Sequence, residues 1–172
     1  MLSQRKLGTL LFLLIISVCV AIPAFAFQNE PDGFRGIKWG TSISQLPDMR
    51  LTEDDGDTKY YAKNNDKMKI GDADINQVVY GFYKNRFCVV AIVFDGYSNF
   101  SKIKETLVNE YGRPDQPNEL MEKYAWYGQT VGIVFEYKDS SKKGEIWHFF
   151  IPIKQEEIKD IKEKAEKGAK DF

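Results

Sequence analysis

Residues 87–94 form a run of eight side chains without a polar group. As a β-strand, this run places Phe87, Val89, Ala91 and Val93 on one face and Cys88, Val90, Ile92 and Phe94 on the other. A strand with one face in water alternates apolar and polar side chains. We therefore predict a central strand that is covered on both faces, by helices, by folding of the sheet on itself or by a second subunit.

The segment before this run predicts its partner in a hairpin. Residues 78–83 have the composition of a strand, and only Lys84 and Asn85 separate them from the apolar run. Asn85 tolerates the positive φ that a tight turn requires. Further strands are expected at 59–62, 68–70, 124–127, 131–137 and 145–151.

A helix is expected directly after the central strand. Its apolar stripe at helical spacing consists of Phe100, Ile103, Leu107 and Tyr111. Ser98 or Asn99 can cap its start, and Gly112 is typical of the position just beyond a helix end.

The remaining segments complete the predicted architecture. Residues 41–46 indicate a short helix capped by Ser42, 52–57 an acidic turn, and 154–170 a charged helix with Ile158 and Ile161 as its narrow apolar edge. Together the elements predict an α+β fold. Its antiparallel sheet of six or seven strands would come from two helix-then-β-meander units, with helices packed on the sheet and a charged C-terminal helix.

The first 26 residues have the pattern of a cleavable signal peptide. Arg5 and Lys6 precede an apolar run at 7–22, and 24–26 offer a small-x-small cleavage site, Ala-Phe-Ala. Cys19 as a lipidated cysteine and an uncleaved anchor are the alternatives. We predict cleavage after Ala26, a single domain at 27–152, a charged helix or tail at 153–172, and a periplasmic or secreted protein without a transmembrane segment.

Charge and cysteine content restrict the partners and the covalent chemistry. The chain has 24 basic and 25 acidic residues. Because the signal peptide removes two basic residues and no acidic one, the mature net charge becomes −3. The chain therefore lacks the excess of basic residues that would indicate nucleic-acid binding. Removal of Cys19 leaves Cys88 alone, so no internal disulfide can form, and its apolar strand predicts a buried thiol.

No motif in the sequence indicates a catalytic centre, a metal or a cofactor. His148 is the only histidine and cannot form a familiar zinc site without further His or Cys ligands. The acidic clusters at 53–57 and 72–74 could offer oxygens to calcium, but neither fits an EF-hand loop. We interpret both clusters as solvated turns and expect no metal and no cofactor.

The aromatic residues are the remaining candidates for a binding surface. Twenty-two aromatic side chains remain after processing, since the signal peptide takes two of the 24. Trp39, Tyr61, Trp126 and Trp147 are the candidate binding residues. The sequence favours the other interpretation, in which alternating aromatics on a sheet mostly build its core.

Four short segments carry a resemblance to known proteins: 33–41, 80–87, 99–100 and 111–114. Together they resemble a family of small exported bacterial proteins of uncharacterised function. The helix-then-meander order also resembles the β-lactamase inhibitor protein and the small lipoprotein of the outer-membrane assembly machine. Because both are binding proteins, the resemblance implies a non-enzymatic envelope module with another envelope protein or a second copy as partner. A small envelope hydrolase and a ligand carrier with an aromatic pocket are the alternatives.

Overall fold

The computed structural model describes residues 27–169, so the predicted signal peptide lies outside the described residues. The first half contains β1 (Gly33–Phe34), β2 (Ile37–Lys38), a 3₁₀ turn (Ile43–Gln45), β3 (Met49–Asp55), β4 (Thr58–Lys63), β5 (Lys69–Ile70), β6 (Ala73–Asp74), β7 (Gln77–Tyr83) and β8 (Arg86–Asp95). The second half contains α1 (Tyr97–Tyr111), β9 (Lys123–Tyr127), β10 (Val131–Lys138), β11 (Lys143–Phe150) and α2 (Ile151–Gly168). Within residues 27–169 the fold is α+β, as predicted.

Seven strands of the described chain form one antiparallel sheet in the order β3-β4-β7-β8-β11-β10-β9. The predicted central strand is therefore the middle strand of the sheet, with β7 and β11 as its neighbours. The two-residue connection through Lys84 and Asn85 is present, and both residues adopt a positive φ. In the described residues, no helix is long and apolar enough to cross a membrane.

A β-bulge changes the faces predicted for β8. Gly81 pairs with Val89 and Phe82 with Phe87, so Cys88 is an extra residue on its strand. The bulge turns Phe87 to the face of Val90, where its ring lies 5.4 Å from that of Phe82. The strict alternation expected from the sequence is therefore wrong at this end of the strand.

One face of the sheet, the covered face, holds the main core. Its largest fully buried side chains are Tyr80, Phe82, Phe87, Phe94, Phe135, Ile92, Ile133 and Ile146. Helix α1 contributes Phe100, Ile103 and Leu107 to the same core cluster, and the Phe100 and Phe135 rings stack at 5.2 Å. The predicted stripe is confirmed. The N-cap, however, is Gly96. The Asn99 side chain does not cap the helix and instead accepts a hydrogen bond from the backbone N–H of Asp74.

The N-terminal segment covers the rest of this face and is held at two points. Trp39 stacks on Phe87 at 4.7 Å. The Glu30 carboxylate accepts hydrogen bonds from the backbone N–H groups of Gln129, Thr130 and Val131, at 3.0, 2.5 and 2.7 Å. Partial burial raises the pKa of Glu30, but these hydrogen bonds together outweigh it and lower the pKa.

One sequence prediction about a charged segment is wrong. Residues 52–55 are not a turn but belong to β3, the edge strand, whose carboxylates remain in water while its backbone pairs with β4. On α2, Ile158 and Ile161 do not form the docking edge, since they are 62% and 60% exposed. Ile153 and Glu157 are the buried residues of that helix.

Candidate functional site

The second face of the sheet, here called the open face, consists of three rows of side chains that run across the strands. The central row is apolar: Val79, Ala91, Trp147, Val134 and Ala125. A charged row lies on one side: Gln77, Val93, Glu145, Glu136 and Lys123. An aromatic and glycine row lies on the other: Glu53, Tyr60, Gly81, Val89, Phe149, Gly132 and Tyr127.

Trp147 stands at the middle of the central row. Its cross-strand neighbours are Ala91 and Val134, which are smaller, and its side chain is 40% exposed. The indole N–H donates a 3.0 Å hydrogen bond to the Glu145 carboxylate in the adjacent charged row. Trp147 therefore presents an oriented, partly exposed aromatic surface on the strand next to the centre of the sheet.

Beside Trp147 the open face forms a shallow depression of about 360 Å³. Its apolar lining is Tyr60, Val79, Val89, Ala91, Val93 and Trp147. The carboxylates of Glu53, Asp55 and Glu145 complete the lining. An apolar floor with acidic groups suits a ligand that is both apolar and positively charged.

Two glycines keep the aromatic row flat. A Cβ at Gly132 would lie 2.2 Å from the Phe149 ring, and one at Gly81 would lie 3.2 Å from the Tyr60 ring. Each ring therefore lies against the backbone of the neighbouring strand instead of standing above the sheet. Glycine at these positions shapes the open face.

The central strand is covered on both faces along only part of its length. Cys88 and Val89 pack with Ile153 of α2, whereas Ala91 and Val93 are half-buried beside the depression. Residues 27–169 therefore do not cover the central strand completely on both faces. Cys88 is fully buried, as predicted, and burial raises the pKa of its thiol to about 11.

His148 faces the opposite way, into the main core. Its ring lies between Phe34 and Tyr111, with centroids 5.5 and 6.4 Å away. Within the described structure the Nδ1 atom is buried and has no hydrogen-bond partner. Burial lowers the pKa of the imidazole to about 4, so the ring is neutral at pH 7.

The structure does not bring the four aromatic candidates together. Trp126 is 3% exposed and donates to the Gly112 carbonyl, and Trp39 is half-buried and donates to the Pro31 carbonyl. Tyr61 packs edge-on against Phe82 at 5.2 Å. These three side chains belong to the covered face, and only Trp147 belongs to the open face.

Sequence reasoning missed the carboxylates around the depression. Glu145 lies two residues before Trp147, so strand periodicity alone places the two on one face. Glu53 could not be found in this way, because its segment was interpreted as a turn and its position depends on pairing with Tyr60.

Three carboxylates of the acidic clusters form ion pairs with lysines. Asp54 pairs with Lys59 at 2.8 Å, Asp57 with Lys164 at 2.6 Å and Asp74 with Lys69 at 3.2 Å. The hydrogen bond from Lys59 is the main cause that lowers the pKa of Asp54. Over residues 27–169, no three His, Cys, Asp or Glu side chains converge in a way that could hold a metal ion.

Comparison of the chain with protein-family models, with curated proteins and with solved structures finds no match. The family resemblances inferred from the sequence therefore stay predictions, and the open face itself is the basis for a functional assignment.

Proposed function

We propose that this chain is an exported, non-enzymatic binding module of the bacterial envelope and that the open face is its binding surface. The observation that carries the proposal is the partial exposure of Trp147 in an apolar row, on a sheet whose other face is a complete core. Contiguous exposed apolar surface marks interaction sites in proteins. Tryptophan is also among the residues that dominate the binding energy of interfaces.

The acidic lining favours a basic partner. Glu53, Asp55 and Glu145 surround the apolar floor and would repel nucleic acid or an anionic lipid surface. They also oppose a face-to-face homodimer, because the same carboxylates would meet on the two copies. We therefore propose an envelope protein or peptide that presents basic and apolar side chains together.

Export through residues 1–26 belongs to the same proposal. The predicted cleavage after Ala26 would leave Phe27 as the first residue, and Phe27 already packs edge-on against Tyr111 at 5.3 Å. N-terminal sequencing of the exported protein is expected to begin at Phe27. A protein that retains the apolar segment would contradict this part of the proposal.

A matched pair of peptides tests the binding surface. One alternates lysine and phenylalanine, and the other has glutamate in place of lysine. The basic peptide is expected to bind, and Trp147→Ala to weaken its affinity at least about tenfold, because buried interface tryptophans typically contribute that much. Fluorescence anisotropy of the labelled peptides measures both affinities.

Tyr97→Ala is the matched control variant. Tyr97 is 60% exposed on α1, outside the open face. Its removal is expected to leave the affinity for the basic peptide unchanged. Equal affinities of the two peptides, or equal losses in the two variants, would contradict the proposal.

One observation favours a second candidate, an envelope hydrolase. Glu136 and Glu145 are directly opposite each other on β10 and β11, beside Trp147. Side chains in that relation have Cβ atoms about 5 Å apart, and paired carboxylates cleave glycosidic bonds. Glu136 also pairs with Lys123 at 3.4 Å. Release of reducing sugar from an envelope glycan, abolished by Glu145→Gln, would favour the hydrolase over the binding module.

A further inference from the structure

Helix α2 occupies one end of the open face. Its Ile153 belongs to a small second core with Tyr83, Cys88 and Val89, against which Tyr60 and Phe149 pack. Three of these side chains, Tyr60, Val89 and Phe149, are also members of the aromatic row. The helix therefore lies on the same surface as the proposed binding site and hides part of it.

Apolar packing contributes little to holding this helix. Its buried residues are Ile153 and Glu157, whereas α1 buries Phe100, Ile103 and Leu107. A surface helix normally docks through a stripe of apolar residues. Beyond residue 160 every described residue of α2 is exposed.

Polar contacts along one edge of α2 hold it instead. Glu156 pairs with Arg86 at 2.7 Å, Asp160 with Lys84 at 2.5 Å, and Lys164 with Asp57 at 2.6 Å. These helix positions are four residues apart, so they fall along one edge. Their partners lie at two neighbouring hairpin turns, β3–β4 and β7–β8.

Two further hydrogen bonds lie closer to the sheet. The Thr58 hydroxyl donates to Glu157 at 2.9 Å, and the Tyr83 hydroxyl donates to Asp160 at 2.5 Å. Lys154 also pairs with Glu157 within the helix. The carboxylates on this edge therefore have cationic or hydroxyl partners, which a competing cation could replace.

Ion pairs of this exposure contribute little individually, and salt screens them. The helix is thus held by several weak, replaceable contacts over an apolar patch. A basic partner on the open face would offer new cations to Glu156, Asp160 and Asp57.

We propose that α2 is a releasable strap. While α2 is docked it covers one end of the open face, and its release adds Tyr83 and Cys88 to the binding surface. A basic, apolar partner competes for the helix carboxylates and shifts the strap toward its released state, because it binds that state more tightly. The role in binding rests on the proposed function, whereas release in salt does not.

The accessibility of the Cys88 thiol to a reagent reports whether α2 is docked or released. It is the single cysteine in residues 27–169, and its thiol is buried in the cluster that contains Ile153. A small thiol reagent reaches Cys88 only when α2 lifts or the domain unfolds. The urea dependence of labelling separates the two routes, since local opening exposes much less surface than global unfolding.

The experiment compares labelling rates in the full chain. In about 1 M sodium chloride, where screening acts within about 3 Å, and in the double variant Lys84→Gln/Arg86→Gln, labelling is expected to accelerate about tenfold with a shallow urea slope. The control variant Lys142→Gln removes an ion pair with Asp139 in the β10–β11 turn, at the other end of the sheet from Arg86, and is expected to leave the rate unchanged. Labelling that follows global unfolding under all these conditions would overturn the strap.

Adding the lysine–phenylalanine peptide separates this inference from the proposed function. Faster labelling on peptide binding supports both. If the peptide binds and the labelling rate does not change, the coupling of the strap to binding is wrong while the proposed function stands. If salt releases Cys88 and no peptide binds, the proposed function fails while release of the strap stands.

Discussion

Alternate residues of the same strands form the two faces of the sheet, and the two faces differ in chemistry. On β11, Ile146 and His148 are buried in the main core, while Glu145 and Trp147 contact solvent on the open face. On β10, Phe135 lies among three aromatic rings, while its neighbour Val134 is half-buried in the central row. Under the proposed function, stability and binding depend on different positions of one strand, so each can be changed separately.

The largest difference between the faces is expected from adjacent residues of β10. Phe135→Ala removes a fully buried ring and is expected to lower the free energy of unfolding by about 3–5 kcal/mol. Val134→Ala, on the open face, is expected to cost less than about 1 kcal/mol because little cavity forms at a half-exposed site. Urea denaturation measures both. Equal losses would show that the open face is also a core.

The second difference concerns pH. Burial places the pKa of His148 at about 4, below the usual value of 6.5, so the folded state binds this proton less readily than the unfolded chain. The resulting stability is complete above pH 6.5 and is lost as the pH falls toward 4. Between pH 8 and pH 5 the loss due to His148 is about 2 kcal/mol.

A substitution isolates this contribution. His148→Phe keeps a ring between Phe34 and Tyr111 and removes the titrating group. The variant is expected to lose about 2 kcal/mol less than the parent between pH 8 and pH 5, as measured by urea denaturation at both values. Identical losses would mean that the His148 site admits water or a proton without cost.

A small effect on stability is also expected for Trp147→Ala. The side chain is already 40% exposed, so its truncation is expected to change the free energy of unfolding by about 1 kcal/mol or less. A loss of unfolding free energy comparable to that of Phe135→Ala would contradict the account in which the covered face provides stability and the open face provides binding.

Local sequence patterns correctly predict those helices and strands that are specified by the residues of a single segment. The β7–β8 hairpin followed from two residues between apolar runs, and the α1 stripe from its spacing. The bulge at Cys88 could not be found in this way, because it depends on how Gly81 and Phe82 pair with the opposite strand. The edge strand β3 was missed because its pairing with β4 outweighs the turn propensity of its acidic residues.

The candidate site was only partly predictable for a related reason. Periodicity separates Trp147 from His148 on β11, but it does not say which of the two faces the helix α1 covers. The sequence therefore could not distinguish Trp126, which is buried, from Trp147, which is 40% exposed. The docking edge of α2 was also missed, since polar contacts with two distant hairpin turns form it.

The central claim is that one face of the sheet binds and the other does not, and the three tryptophans test it together. The indole N–H groups of Trp39 and Trp126 donate to backbone carbonyls on the covered side, and that of Trp147 donates to Glu145 on the open face. In a ¹H–¹⁵N spectrum titrated with the lysine–phenylalanine peptide, the Trp147 indole signal is expected to shift while the other two remain in place. A shift of the Trp39 or Trp126 signal without one for Trp147, or no shift at a saturating peptide concentration, would contradict the claim.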